Sequence, residues 1–475
     1  MANNIKSTEL ICTSRSWDGA WLPDFPAGRP ELKVIRMEFP VGAVTGWHHH
    51  PVVNYGLVEQ GDLTIVCTDG TERTFHQGEP LVEVVGTVHR GENRGSVPVI
   101  LDMFYFSEPG KEVTIQHPEK EIINHFVIPN EVADPQPLKI GFINDSFIIR
   151  AKHPGEKSYF LQRINHHIFQ NVEGLQQNIW KVTNHIRKKL EAAGETDIDR
   201  KVLELVPAKD GKLYYKTPEG DYWRVYVLIE NTTSQEKVTP ESAYLTGEAF
   251  GRFQSQLADL PFDELCESIP NFHNIEFRLH QLDEALAADP KGRKAACKDI
   301  IEAIDRRRDE MCLAERLFRE GKLTKRINHC DTKVNNILFD EAGKPMCIVD
   351  LDTVMPGFVL SDFGDFMRTA ANTGLEDDPN LDNIHVDLKI FEAYARGYIK
   401  EATFLTDLEK SLLPYGCRLL SYMQTVRFFT DWLNGDTYYK IQYPEHNLVR
   451  TRAQLRLVEE QEKVAAQMAE IIRGI

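Results

Sequence analysis

Residues His329-Cys330-Asp331-Thr332-Lys333-Val334-Asn335-Asn336 are followed by an apolar run ending in Ile348-Val349-Asp350-Leu351-Asp352. A hairpin-like stretch, 337–343, joins the two. A chain with this H-x-D-x-x-x-x-N and D-x-D pair must fold so that a polar loop and a strand end meet. Phosphoryl transfer to a hydroxyl needs a carboxylate that orients the nucleophile and takes its proton. It also needs oxygen ligands that hold Mg²⁺ against nucleotide phosphates. Asp331 suits the first role, and Asn336 with Asp350 suits the second. Asp352 is a candidate for a second ion or a water-mediated position, or else for a capping carboxylate.

The first 115 or so residues differ in texture from the rest. Short alternating runs such as 32–39 and 62–67 are punctuated by turn signals at Pro40-Val41-Gly42, Thr68-Asp69-Gly70 and Gln77-Gly78-Glu79-Pro80. This is all-β spacing. A proline-containing stretch follows, with Pro109, Pro118, Pro129, Pro135 and Pro137, and is expected to be a linker. From Leu138 the pattern predicts two strands, 138–150 and 158–164, around a turn at 153–156. Ile168, Val172, Leu175, Ile179, Val182, Ile186 and Leu190 then recur at helical spacing. After a strand at 223–229, helices are expected at about 240–260, 294–320, 385–400 and 407–434. The order is a β-rich lobe followed by a larger helical lobe.

The net charge of −17 argues against a protein that tracks nucleic-acid phosphates, which needs a basic face. No C-x-x-C pair occurs among the eight cysteines, so reduced, buried thiols are expected. The first ten residues lack an apolar signal core, and no run approaches the length of a membrane span. A cytoplasmic protein is the expectation.

The motifs at 329–336, 350–352 and 361–365 resemble the aminoglycoside phosphotransferase and choline kinase superfamily. Further segments are similar to N-acetylhexosamine 1-kinases: Gly141-Phe142-Ile143-Asn144-Asp145, Tyr159-Phe160-Leu161-Gln162-Arg163-Ile164-Asn165, Val349 through Gly357, and Arg427 through Asp436. The resemblance runs over about 138–460. It implies transfer of the ATP γ-phosphate to the anomeric hydroxyl of an amino sugar. On it, Gly141 and Asn144 belong to a loop over the nucleotide. Arg163 is the candidate phosphate-binding cation, with a solvated strand arginine as the alternative. Glu230 ends a strand where its backbone would meet adenine. Arg427 matches the arginine that hydrogen-bonds the hexosamine, with an ion pair to Asp431 as the alternative. Asp365 is expected in a turn that holds the loops. Thr369 stands where the hexosamine kinases tend to carry an aromatic.

At the N-terminus, Gly42-(x5)-His48-x-His50-(x3)-Asn54-(x6)-Gly61 resembles the first cupin motif, with Asn54 where Glu is usual. Gly78-(x5)-Val84-x-Gly86-(x2)-His89-(x3)-Asn93 resembles the second. Three imidazoles, His48, His50 and His89, would converge inside a barrel as a divalent transition-metal site. The alternative is a polar or sugar-contacting lining without metal. Strand alternation turns His49 outward.

The expected fold is therefore multidomain. A cupin β-barrel (1–115) and a linker (116–137) precede an α+β, two-lobed kinase-like domain (138–475), whose small lobe covers about 138–235 and whose large helical lobe covers about 236–475. The expected activity uses ATP and Mg²⁺ on a small-molecule sugar, with neither nucleic acid nor membrane as partner. The barrel edges allow a homodimer. The competing readings are a kinase for another hydroxylated metabolite, and a sugar-sensing regulator built on a degenerate kinase fold.

Overall fold

The alternating runs of the first hundred residues become the strands of two facing sheets. In the computed structural model, which describes residues 7–25, 27–138, 143–235 and 238–475, the chain divides into two units, Met1–His125 and Phe126–Ile475.

In the first unit one sheet orders its strands Glu31–Phe39, Val99–Ser107, Asn54–Gln60 and Pro80–Val82. The other runs Glu72–Phe75, Leu63–Cys67, His89–Glu92, His48–His49 and Ile115–Gln116. Alternation does the sorting. Along Val99–Ser107 every second side chain is buried, and Val99, Leu101, Met103 and Tyr105 join Val58, Leu63, Ile65 and Phe75 in the core. The same alternation aligns His48 opposite His89 across an antiparallel pair.

The second unit begins with a sheet ordered Gln136–Leu138, Asp145–Ile149, Tyr159–Ile164, Tyr222–Val227 and Leu205–Val206, with Tyr215–Lys216 also paired to Tyr222–Val227. Helix Val172–Ala192 buries Val172, Leu175, Ile179, Val182, Ile186 and Leu190. It starts later than its periodicity suggests, because the Asn171 side chain accepts from the Gly174 N–H and caps it.

The remainder is helical. Helix Val359–Ala370 packs against Leu413–Asn434 at a crossing so close that a Cβ on Gly364 would lie 2.3 Å from the Gly416 carbonyl oxygen. Only glycine permits that approach, and it fixes the helix carrying Asp362 and Asp365. Asp365 is thus helical rather than in a turn. The stretch 294–320, expected as one helix, is broken into Lys298–Asp305, Arg308–Met311 and Leu313–Arg319. Helices Ile275–Ala288 and His446–Lys463 were not expected.

The linker expectation for 116–137 needs correcting. Its first residue extends the strand Ile115–Gln116, which pairs with His48–His49. Phe126 is buried and bridges to Ala208, the Val127 N–H donates to the Pro207 carbonyl, and Gln136–Leu138 is a strand of the second sheet. The prolines there mark turns and a strand edge, both compatible with ordered structure. Among the described residues, no helix is long and apolar enough to cross a membrane.

Candidate active site

The loop 328–336 is built around buried hydrogen bonds. The Asp362 carboxylate accepts from the backbone N–H groups of His329 (2.8 Å) and Cys330 (2.7 Å) and from the Gln254 amide (2.7 Å). Thr332 donates its hydroxyl to the Asp362 carbonyl and its N–H to Asp365. These anchors hold Cys330 at φ +63°, a left-handed conformation that a non-glycine residue adopts only under constraint. His329 Nδ1 accepts from the Asp331 N–H, so Nε2 carries the proton and donates to the Val349 carbonyl at 2.9 Å. One imidazole therefore ties the loop to the strand that delivers Asp350. Burial raises the Asp362 carboxyl to about 6, although His329 and the two N–H donors oppose the shift.

This frame turns Asp331 into a cleft of about 2430 Å³. Its carboxylate accepts from the Asn336 amide at 3.0 Å and pairs with Lys333 at 2.8 Å. Because the Asn336 amide nitrogen is used on Asp331, its amide oxygen is left for another partner. Asp350 sits at φ +59° beyond the apolar strand, with its side chain open to the cleft. The surrounding protein displaces bulk solvent there, and with Asp352 and Asp331 nearby its carboxyl is pushed up to about 6. Among the described residues no cation pairs with it.

Asp352 departs from the sequence expectation. It is buried, and both its oxygens are taken by the guanidinium of Arg224, with the Asn144 amide adding a third bond at 2.7 Å. It is a holding group rather than an open metal ligand.

Arg163 also departs. On Tyr159–Ile164 both Gln162 and Arg163 line the cleft, but Arg163 is taken up by ion pairs with Asp145 (2.5 Å) and Asp221 (3.8 Å). Arg224 also lines the cleft, and the register places it directly across from Gln162, to whose side-chain oxygen it donates at 2.7 Å. Parity along the two strands was the signal that could have found it.

Asn144 lies at the cleft as expected and accepts from the Asn165 N–H. Gly141 lies outside the described residues. The carboxylate of Glu230 pairs with Arg150 and its carbonyl accepts from Arg200, so its backbone is engaged away from the cleft. Ile229 and Thr232 line the wall there instead. Lys333, inside the motif, was also passed over.

At the other end of the cleft Arg427 projects from Leu413–Asn434 against the rings of Phe272 (5.0 Å), Tyr439 (5.6 Å) and Tyr438 (6.0 Å). The alternative ion pair with Asp431 does not form. Asp431 is buried and accepts from the N–H groups of Thr437, Tyr438 and Tyr439 and from Asn447. That cap shapes the loop that brings the two tyrosines to Arg427. Thr369 is exposed, and its hydroxyl bonds carbonyls of its own helix, so it does not remove a wall of the cleft. His273 stacks on Phe272, and its Nδ1 is buried without a hydrogen-bond partner. Burial, then Arg427, Arg278 and Arg368, push this imidazole down to about 3, so it stays neutral.

In the first unit, His48, His50 and His89 bring one ligand atom each to within 4.8 Å of one another. Their Nδ1 atoms donate to the carbonyls of Gly46 (2.8 Å), Val113 (2.9 Å) and Thr87 (2.9 Å), which leaves each Nε2 lone pair free. Burial lowers all three, His50 to about 3, keeping the neutral form that binds metal. His49 is turned to a different partner, His117, at 2.7 Å.

Residues 35–105 match the cupin domain family, and residues 134–399 match the phosphotransferase enzyme family. Among solved structures, a microcompartment-associated aminopropanol kinase is 14% identical, with 74% of this chain and 97% of that one covered at a TM-score of 0.43. A spectinomycin phosphotransferase in complex with ADP and spectinomycin is 13% identical, with 72% and 97% covered at 0.46. An oxalate oxidase in complex with glycolate is 22% identical over 19% of this chain and 48% of that one, at 0.17. The family match spans more than half of the 475 residues and contains Asp331, Asn336 and Asp350, so the chain, which carries a cupin domain at its start, belongs to the phosphotransferase enzyme family.

Proposed function

We propose that the second unit transfers the γ-phosphoryl group of ATP to a sugar hydroxyl, the anomeric hydroxyl of an N-acetylhexosamine or related hexose, giving the sugar 1-phosphate. The observation that carries this reading is the position of Asp331. It stands in one cleft between a sheet-lined end holding Arg224 and Gln162 and an end where Arg427 is ringed by aromatic side chains. The first end suits a purine and its phosphates. The second offers an apolar wall with a fixed cation, which suits a polyol ring.

In this reading Asp331, held by Asn336, orients the acceptor hydroxyl and takes its proton as the bond to phosphorus forms. Lys333 stands where it can stabilise charge on the group in transit. The hard oxygens of Asp350 and Asn336, with Asp350 unpaired among the described residues, fit Mg²⁺. When bound, the ion would neutralise the nucleotide phosphates.

The free Nε2 atoms of His48, His50 and His89 likewise support a divalent transition-metal site in the barrel.

The kinase reading is tested by acceptor-dependent ADP release across a panel of free sugars. Arg427→Ala should raise the acceptor KM about tenfold or more while the ATP KM stays within about twofold, since a fixed cation lost at a binding wall costs on the order of 1.4 kcal/mol or more. ADP release that no sugar stimulates would contradict the reading.

A further inference from the structure

We propose that Glu83 supplies the carboxylate ligand of the barrel's metal site, in place of the one that Asn54 does not provide. The inference rests on the three imidazoles being a metal site.

Strand register comes first. Tyr55 pairs with Val82 in the antiparallel pair Asn54–Gln60 and Pro80–Val82, so Asn54 lies opposite Glu83. The Glu83 N–H donates to the Asn54 carbonyl at 3.2 Å, which confirms the pairing. Residues directly opposite in an antiparallel pair send their side chains to the same face, with Cβ atoms roughly 5 Å apart. On its other side Asn54 pairs with Tyr105, whose ring lies 5.3 Å from that of His50. A carboxylate at 83 rather than 54 is thus displaced by one strand and remains on the face that carries the imidazoles.

The hydrogen bonds come second. Glu83 is 3% exposed. Its Oε1 accepts from Trp17 Nε1 (3.0 Å) and from the Val84 N–H (3.0 Å). Its Oε2 lies 3.7 Å from His89 Nε2 and takes part in no other ion pair among the described residues. Since His89 Nδ1 donates to the Thr87 carbonyl, the Nε2 atom facing Glu83 carries a lone pair. An imidazole lone pair and a carboxylate oxygen repel each other unless a proton or a metal ion stands between them. No Lys or Arg among the described residues pairs with Glu83, and a buried, unpaired carboxylate is costly. Two ligand atoms each about 2.0–2.2 Å from one ion lie roughly 3–4 Å apart; the 3.7 Å separation from His89 falls in that interval, while Glu83 stands outside the 4.8 Å group of the three imidazoles, so its carboxylate must move toward His48 and His50 to share their ion. The buried Oδ1 of Asn54, without a hydrogen-bond partner, is a ready acceptor for a water on such an ion.

The test is Co²⁺ titration of the full-length protein, read by calorimetry and by the visible absorption of the bound ion. Wild type should bind one ion. Glu83→Gln, which keeps the Trp17 and Val84 hydrogen bonds, should melt at the wild-type temperature, lose roughly tenfold or more in affinity and shift the visible bands. Adding Asn54→Glu to Glu83→Gln should restore affinity. Unchanged affinity and spectrum in Glu83→Gln would overturn the Glu83 assignment while leaving the imidazole site standing. Weaker binding with an unaltered spectrum would also overturn it, making Glu83 a group that positions His89. Wild-type protein that takes up no Co²⁺ would overturn both.

Discussion

The Arg224 guanidinium closes on both oxygens of the Asp352 carboxylate, joining the sheet to the loop that follows Asp350, with Nη2 to Oδ2 at 2.9 Å. Both groups are almost fully buried. Truncating one partner of such a pair leaves a charge without compensation and costs roughly 3–5 kcal/mol, whereas replacing both by apolar groups of similar size is close to neutral. Asp352→Ala should therefore lower the urea midpoint sharply. Arg224→Met with Asp352→Leu should recover most of the loss. A double-mutant cycle with no coupling would show that the pair contributes nothing beyond its separate parts.

Asp331→Asn keeps the shape of the side chain and the contact with Asn336 but cannot take a proton. The expected outcome is a fall in kcat of about 100-fold or more with the ATP KM little changed. Steady-state kinetics decide it, and retention of more than about a tenth of wild-type kcat would remove Asp331 from the proton-accepting role.

Asp350 gives a pH dependence with a definite sign. Its carboxyl is raised to about 6, so the ionised form that can hold a cation is lost as pH falls through that value. kcat/KM for the nucleotide should drop on the acid side of about 6, and more Mg²⁺ should move the drop to lower pH by favouring the ionised form. Asp350→Asn should be nearly inactive and lack this limb. A profile flat from pH 5 to 8 would contradict the ligand role.

Arg163 and Arg224 should behave oppositely. Arg163 is partly exposed in a surface pair, a kind of contact worth about 0–1 kcal/mol. Arg163→Ala should leave the ATP KM within about twofold. Arg224→Lys should raise it, because an ammonium cannot fork onto Gln162 and Asp352 together, and the wall beside Asp350 loses its brace.

The boundary between units is testable by truncation. A chain beginning at Phe126 keeps that buried ring and the strand Gln136–Leu138, whereas one beginning at Leu138 loses both. Deleting a buried phenylalanine costs roughly 3–5 kcal/mol, so the shorter chain should melt at distinctly lower temperature. Equal melting temperatures would place the boundary nearer Leu138.

What was legible in the sequence followed from local pattern. Motif spacing located Asp331, Asn336 and Asp350 and likewise His48, His50 and His89, with alternation placing His48 and His50 on one strand face, because such side chains are positioned by the few residues around them. What was missed depends on contacts far apart in the chain. Arg163 was chosen over Arg224 because the sequence does not show that Arg163 is taken by Asp145 and Asp221, nor that Arg224 is registered against Gln162. Asp352 looked free because its partner lies on a distant strand. The helix Val359–Ala370 was not read because Ser361, Asp362, Gly364 and Asp365 interrupt its apolar residues, although nearly all of its side chains are buried. Glu83 drew no notice because it fills an unspecified position of the second cupin motif and gains meaning only opposite Asn54.

The central claim, phosphoryl transfer to the anomeric hydroxyl of a hexosamine, is tested most directly by NMR of the product formed from N-acetylglucosamine or N-acetylgalactosamine with ATP and Mg²⁺. The account predicts a new ³¹P resonance coupled to the sugar H1 proton, formed with wild-type protein and not with Asp331→Asn. A phosphorus coupled to any other sugar proton, or no sugar phosphate while another hydroxylated metabolite is phosphorylated, would contradict it.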